Sequence, residues 1–550
     1  MERMDRTKDY FPVDIYAVKE YGLEKLSENF FWPVSDADFV KLYNDIEQLY
    51  KDCINSDEET GKILLIQFKL FHEYLQFLHA LKAIIEARKR GKEPLYTDKS
   101  FWYRDIIRND MARSHVVSKI KNPGLAGCLR GMIVKSIKAA EHNSLITNLF
   151  KKPAAVVYGP ITSIMAEYIK ESKYTVRFML PSDLFPFNFS YKISEGLHKK
   201  IKDIACSMVT GLQSIAGQNG FTVDSKHADH LLQMTESALQ DAAKVLYAAR
   251  KKIGVYKPEN MHLLISSCGN VASRAVATAA KEKGFKVTGF THGGSVGIYD
   301  NPTLPFLDFA FSDEFVTYTK ESMVLFQKIN EKHPFLKNDR IKINSCNDTQ
   351  FMKLEEKYKN EPLSKSIKTV MLLGYPHNQL RKPHASAGLS LMHLDLEFRL
   401  INVIRDAGYD VLYKVHPDRV QEVNDVFRDK VKVVNGYFQN YLHMADAFLF
   451  GSIRTTAFSR ALCTNKPIIG FIMKDEAFKP FPEALDLLQK RCTLIKTEFD
   501  SSNRIIFDRQ ELINALRQRP EQPNTEFIEK YMFPEKEPDS NTGKRRQWQI

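Results

Sequence analysis

The feature that most constrains this chain is a pair of runs in which short apolar segments alternate with helix-patterned ones, each run carrying a histidine just past an apolar segment. In the first, Lys286-Val287-Thr288-Gly289-Phe290 leads into Thr291-His292-Gly293-Gly294-Ser295. In the second, Tyr409-Asp410-Val411-Leu412-Tyr413 leads into Lys414-Val415-His416-Pro417. Strands alternating with helices at such intervals imply parallel sheets, whose strands are buried on both faces. The expected fold class is α/β, with two Rossmann-like domains facing across a cleft and a helical amino-terminal region. Open sheets of this kind bind ligands outside the carboxyl ends of their strands. Two such sheets face to face would bring both histidines into one cleft.

The expected division is a helical region over 1–150, a first Rossmann-like domain over 151–345, a second over 346–510, and a carboxyl-terminal helix with a basic tail over 511–550. Apolar residues recur at helical spacing through 39–50 and 63–87. The first α/β unit reads as strands at 156–158, 175–180, 262–266, 286–290 and 309–312, with helices over 163–172, 194–253 and 320–332. In the second unit, strands are expected at 368–373, 411–415, 431–434, 447–450, 467–472 and 492–496, and a helix over 394–407. The first unit is assigned to the acceptor and the second to the donor nucleotide.

Composition narrows the class of function. A hydrophobic share of 43% and a charged share of 27% are those of a soluble globular protein. The seven cysteines are scattered and never spaced as CxxC, so neither a disulfide framework nor a zinc site is expected, and a reducing cytoplasm fits. The longest apolar stretch, 63–85, is broken by Lys69, Glu73 and Lys82, which disqualifies it as a membrane span. The net charge of +12 arrives without a nucleic-acid-binding motif. An anionic membrane face or a polyanionic glycan is the alternative partner, and solvated basic faces at 119–138 and Lys544-Arg545-Arg546 are the plainer explanation.

Five places carry side chains suited to chemistry. His292 ends a strand beside Gly293 and Gly294, where a backbone approaches a ligand closely, and it can act as general base or donate to a phosphate. A turn histidine without a ligand fits the same residues. Lys414 and His416 lie on one side of an extended segment stopped by Pro417, so two potential cations meet at a strand's carboxyl end. Ser452, Arg454, Thr455 and Thr456 form a hydroxyl-rich strand-to-helix loop with a guanidinium, although Ser452 or Thr455 also serves as a plain helix cap. Asn270 opens a similar loop in the first unit. Asp313 and Glu314 follow the expected strand at 309–312 and are candidate base or nucleophile, or simply helix-start residues. No metal site and no cofactor are expected.

Taken in order, His292-Gly293-Gly294, Lys414-Val415-His416-Pro417, Asp446, Ser452 to Thr456 and Lys466-Pro467 resemble the motif series of bacterial surface-polysaccharide transferases of the two-Rossmann GT-B architecture. That group includes capsule and lipopolysaccharide Kdo transferases, transferases of other nonulosonic acids, and CDP-glycerol glycerophosphotransferases. The segment 291–319 is similar to the capsule-type members, and the resemblance spans roughly residues 150–500. It implies transfer of a CMP-activated sugar acid, Kdo or another nonulosonate, to a glycan or lipid-linked glycan at the inner face of the cytoplasmic membrane. It also implies that Lys414, His416, Ser452, Thr455 and Thr456 hold the nucleotide phosphate and that His292 stands near the reaction centre. The acidic Asp/Glu-Asp/Glu-Gly motif of bacterial sialyltransferases has no counterpart; Asp308, Asp313 and Glu314 are the nearby carboxylates. A CDP-glycerol or CDP-ribitol phosphotransferase, a sugar-nucleotide epimerase and a non-catalytic assembly protein are the competing readings.

Overall fold

The computed structural model describes residues 8–108, 154–184, 191–257, 261–292, 297–333, 340–376, 389–474, 479–518 and 521–534. Among them the strands form three sheets. Tyr10–Pro12 (β1) and Glu93–Leu95 (β2) make a small parallel pair, which the helical reading of the amino-terminal region omits. The second sheet contains β3 (Ala155–Tyr158), β4 (Val176–Met179), β5 (His262–Ile265), β6 (Lys286–Phe290), β7 (Glu314–Thr317) and β8 (Lys342–Ser345), all parallel, in the order β4-β3-β5-β6-β7-β8. The third contains β9 (Thr369–Leu373), β10 (Asp410–Lys414), β11 (Lys432–Val434), β12 (Ala447–Phe450), β13 (Ile468–Met473) and β14 (Thr493–Phe499), with β15 (Ile505–Phe507) antiparallel at one edge. Its order is β11-β10-β9-β12-β13-β14-β15. The fold is mixed α/β with parallel sheets.

These strands are apolar on both faces because helices cover both; every residue of β3 and β12 is buried. Each of the two larger sheets reverses strand order once, between β3 and β5 and between β9 and β12. At such a reversal the connections leave towards opposite faces, opening a crevice at the carboxyl edge.

One expected strand is corrected. Residues 309–312 alternate aromatic and small side chains, but Phe309–Phe311 is a 3-10 turn with both phenylalanines buried. Phe309 packs edge-on against Phe315 of β7 at 5.1 Å. The strand begins only at Glu314. The alternation reflects a turn wedged into the core.

The amino-terminal helices are built into both α/β units. Helices Asp36–Ser56, Glu58–Ile66 and Lys69–Lys89 pack against Glu195–Gln218, Ser225–Ile253 and Val271–Glu282. The buried Tyr74 hydroxyl meets Thr235 Oγ1 at 2.6 Å, and Gln67 Nε2 donates to the Ala238 carbonyl at 3.1 Å. On the other side, helix Leu23–Glu28 packs on Leu389–Asp406. The Trp32 backbone N–H donates to the Ser502 carbonyl at 3.0 Å, and Asn503 Nδ2 donates to the Trp32 carbonyl at 2.8 Å. At the far end of the chain, helix Glu526–Tyr531 packs on both Lys320–Lys332 and Pro482–Arg491. Among the described residues no helix is long and apolar enough to cross a membrane.

Candidate functional site

The carboxyl ends of β10, β9 and β12 lie side by side, because β9 pairs with both of the others. Lys414 is the last residue of β10 and is 5% exposed. Its Nζ donates to the Val415 carbonyl at 2.6 Å, and burial pushes its pKa down to about 8. Among the described residues no carboxylate pairs with it. His416 stands outside the strand as the cap of the 3-10 turn Pro417–Arg419, its Nδ1 accepting the Asp418 N–H at 3.3 Å. A ring nitrogen that accepts carries no proton, so a neutral His416 imidazole in this contact holds its proton on Nε2. Pro417 is exposed beside it.

The loop after β12 faces the same edge. Thr455 caps helix Thr456–Leu462, accepting from the Phe458 N–H at 3.1 Å, while Thr456 is exposed. Ser452 Oγ accepts the Arg454 N–H at 3.5 Å. The Arg454 guanidinium lies 4.7 Å from the Tyr299 ring centroid, with burial lowering its pKa and Tyr299 and Tyr375 opposing that shift. Tyr299 follows the His292 loop, so this contact joins the carboxyl-edge loops of the two large sheets. The same seam carries Asp300 N–H to the Lys479 carbonyl at 3.0 Å and Phe481 N–H to the Ile298 carbonyl at 2.8 Å.

Beneath these loops lies a polar cluster that sequence reasoning missed. Arg419 is fully buried; its Nη1 donates to Glu397 Oε1 at 2.7 Å, and its guanidinium lies 5.8 Å from the Tyr375 ring. Glu397 also accepts the Tyr375 N–H at 2.6 Å and the Tyr413 hydroxyl at 2.9 Å. One carboxylate thus ties the loop after β9 to β10 and to the His416 turn. Arg419 Nε and Nη2 have no hydrogen-bond partner among the described residues. The available signal was Glu397 itself, an acid amid Leu394, Leu396, Phe398 and Leu400.

In the second sheet, His292 is exposed two residues beyond β6, while Gly293 and Gly294 lie outside the described residues. Asn270 caps helix Val271–Glu282, its Oδ1 accepting the Ser273 N–H at 2.9 Å, so its carbonyl is committed to the cap. The placement of Asp313 and Glu314, the candidate base or nucleophile expected just past a strand, is corrected. Both stand at the amino end of β7, and Glu314 pairs in register with Thr288, four residues before His292. At roughly 3.3 Å per residue that is about 13 Å from the histidine, on the opposite edge of the sheet. Asp313 accepts the Val287 N–H at 2.9 Å and lies 3.3 Å from Lys281 Nζ. Glu314 is buried against Lys286 Nζ at 2.7 Å, Tyr168, Thr288 and Asn344. Both carboxylates hold strands together. Asp308 is the carboxylate that faces the His292 edge: it is 5% exposed and accepts the Cys268 N–H at 2.9 Å. Burial raises its pKa, and the nearby His292 charge, the Cys268 bond and Arg274 oppose that shift.

A cavity of about 420 Å³ lies elsewhere, at the amino ends of β9, β10 and β11, lined by Thr369, Arg405, Asp410, Lys430 and Lys432 among others. It opens on the edge opposite Lys414 and His416. Among the described residues no group of three or more His, Cys, Asp or Glu side chains is arranged to hold a metal ion.

Comparison with protein families and with curated proteins gives no match. Among solved structures, the chain is similar to UDP-GlcNAc 2-epimerase of Methanocaldococcus jannaschii in complex with UDP-GlcNAc and UDP, at 12% identity and a TM-score of 0.36, over 67% of this chain and 94% of that one.

Proposed function

We propose that this chain is a nucleotide-sugar-dependent glycosyltransferase of surface-polysaccharide synthesis, and that its donor is a CMP-activated sugar acid such as Kdo or another nonulosonate. The observation that carries the reading is the coincidence of the β9/β12 strand-order reversal with Lys414, His416, Arg419 and Arg454 at the same carboxyl edge. A departing nucleotide is an anion, and fixed positive charge and N–H donors in a water-poor site stabilise it best. In this reading the nucleotide phosphate rests on Lys414, His416 Nε2 and the 451–456 loop, held in place by the Glu397–Arg419 pair.

Transfer breaks the bond between the anomeric carbon and the phosphate oxygen, which leaves with the electron pair. The acceptor hydroxyl oxygen bonds to the anomeric carbon and gives its proton to His292, the base on the facing sheet. The seam around Tyr299 and Arg454 would shield the donor from water. The two sheets would then be the walls of a cleft, acceptor on one side and donor on the other. The acceptor would be a lipid-linked or free glycan, and the +12 charge would hold the enzyme at the anionic inner face of the membrane.

Calorimetry with CMP, CDP, UDP and GDP on wild type and His416→Ala tests the reading. Preferred CMP binding that is lost in the variant supports it. A CDP preference favours a CDP-glycerol or CDP-ribitol phosphotransferase, and no binding of any nucleotide leaves a non-catalytic assembly protein.

A further inference from the structure

Asp308 is a buried carboxylate bonded to the turn next to the one that carries His292. Cys268, whose N–H it accepts, lies three residues past the end of β5; His292 lies two residues past the end of the neighbouring β6. Paired strands run about 4.8 Å apart, so the two loops emerge as neighbours. Oδ1 is engaged by Cys268, and among the described residues Oδ2 receives no hydrogen bond. The Asp308 carbonyl accepts the Ser312 hydroxyl at 2.9 Å, which fixes the turn that presents the side chain.

The Cys268 turn is locked from behind. Arg274 is 4% exposed; its Nε donates to the Cys268 carbonyl at 2.6 Å and its Nη1 to the Ile66 carbonyl at 3.2 Å. Its guanidinium lies 5.6 Å from the Phe68 ring, and Phe68 stacks on Phe306 at 5.1 Å. Ile66 and Phe68 belong to the amino-terminal helical layer. Burying a carboxylate and a guanidinium at one turn is costly unless hydrogen bonds and opposite charge compensate.

We infer that Asp308 is the positioning carboxylate of His292, orienting the imidazole and stabilising the imidazolium formed when His292 takes a proton, with Arg274 anchoring the assembly to the amino-terminal helices. The role, though not the pairing, rests on the proposal that His292 is the acceptor base. The proton passes from the acceptor hydroxyl to a ring nitrogen, and Asp308 stays a carboxylate throughout. This is the arrangement in which a base is held by a third group.

Ethoxycarbonylation of histidines by diethyl pyrocarbonate, followed residue by residue by mass spectrometry, tests the pairing without any substrate. The reagent attacks neutral imidazole, so a carboxylate that favours imidazolium slows the reaction at low pH. In Asp308→Asn, the rate at His292 near pH 6 relative to its rate near pH 8.5 is expected to rise several-fold. The exposed His198 and His443 serve as references and should not change. Asp308→Glu, which keeps the charge, should restore most of the wild-type profile, and Arg274→Lys should move it partway towards that of Asp308→Asn. An unchanged His292 profile in Asp308→Asn, or in Arg274→Lys should Asp308→Asn fail to fold, overturns the pairing. If the pairing holds and no nucleotide binds, the transferase reading fails and the pairing stands.

Discussion

Lys414 sits at the end of a buried strand with its pKa pushed down to about 8, so its charge depends on pH in a range where proteins are handled. An anion binds the ammonium form. Below about pH 8 that form is already present and affinity should be full; above it, each unit of pH should weaken binding by up to about tenfold. Calorimetry of CMP from about pH 7 to 9.5 should therefore show a decline in wild type and a weaker, flatter profile in Lys414→Met. Asp14 offers a matching test of stability. It is 4% exposed, caps helix Ile15–Tyr21, and burial raises its pKa to about 6. A carboxyl whose folded pKa exceeds its unfolded value penalises folding as pH rises through that interval. Asp14→Asn keeps the cap and removes the penalty. It should add on the order of 1–3 kcal/mol at pH 7 and little at pH 4, read as thermal unfolding against pH. At this scale the sequence disclosed side-chain chemistry but not surroundings. His292, Lys414 and His416 announced themselves by standing next to apolar runs. Asp313 and Glu314 were misplaced because Phe309 and Phe311 alternate as a strand would, and the burial of Arg419 left no mark on periodicity.

Among the elements, the strands of parallel sheets were the easiest to read. Residues 286–290 and the helices Ser163–Ser172 and Lys320–Lys332 fall where their patterns put them, because continuous apolar runs bounded by polar caps have few other folds. The edge strand β8 escaped notice because Ile343 is its one buried residue, and β1 and β2 because three-residue strands carry no period. How the elements meet was legible only in part. Gly374, after β9, is required by close packing: a Cβ there would meet Tyr413 Oη at 2.5 Å. Gly374→Ala should cost about 1–3 kcal/mol in denaturant unfolding, and less when combined with Tyr413→Phe than the two changes summed. The Glu397–Arg419 pair ties the same loops from below. Arg419→Met leaves Glu397 buried without its partner and should cost about 3–5 kcal/mol. Nucleotide affinity should fall with it, because the loops after β9 and β10 lose their common anchor.

Across the whole molecule, the amino-terminal helices belong to the architecture of both large sheets. Ile66, Gln67 and Phe68 support the first through Arg274, Ala238 and Phe306; Trp32 and Ser27 hold the second through Ser502, Asn503 and Arg504. Their helical character was evident from spacing, but their bridging position was not, since it depends on contacts more than 400 residues apart such as Asn503 to Trp32. A chain begun at residue 151 should lose the cooperative thermal transition of the full protein; a sharp transition in that fragment would contradict this reading. The central claim is that ligand chemistry belongs to the carboxyl edge of β9, β10 and β12. Hydrogen–deuterium exchange in the presence and absence of saturating CMP tests it most directly. Protection is expected at 374–376, 414–419 and 451–456. Protection confined to the opposite cavity, around Arg405, Lys430 and Lys432, or none at the carboxyl edge, would contradict it.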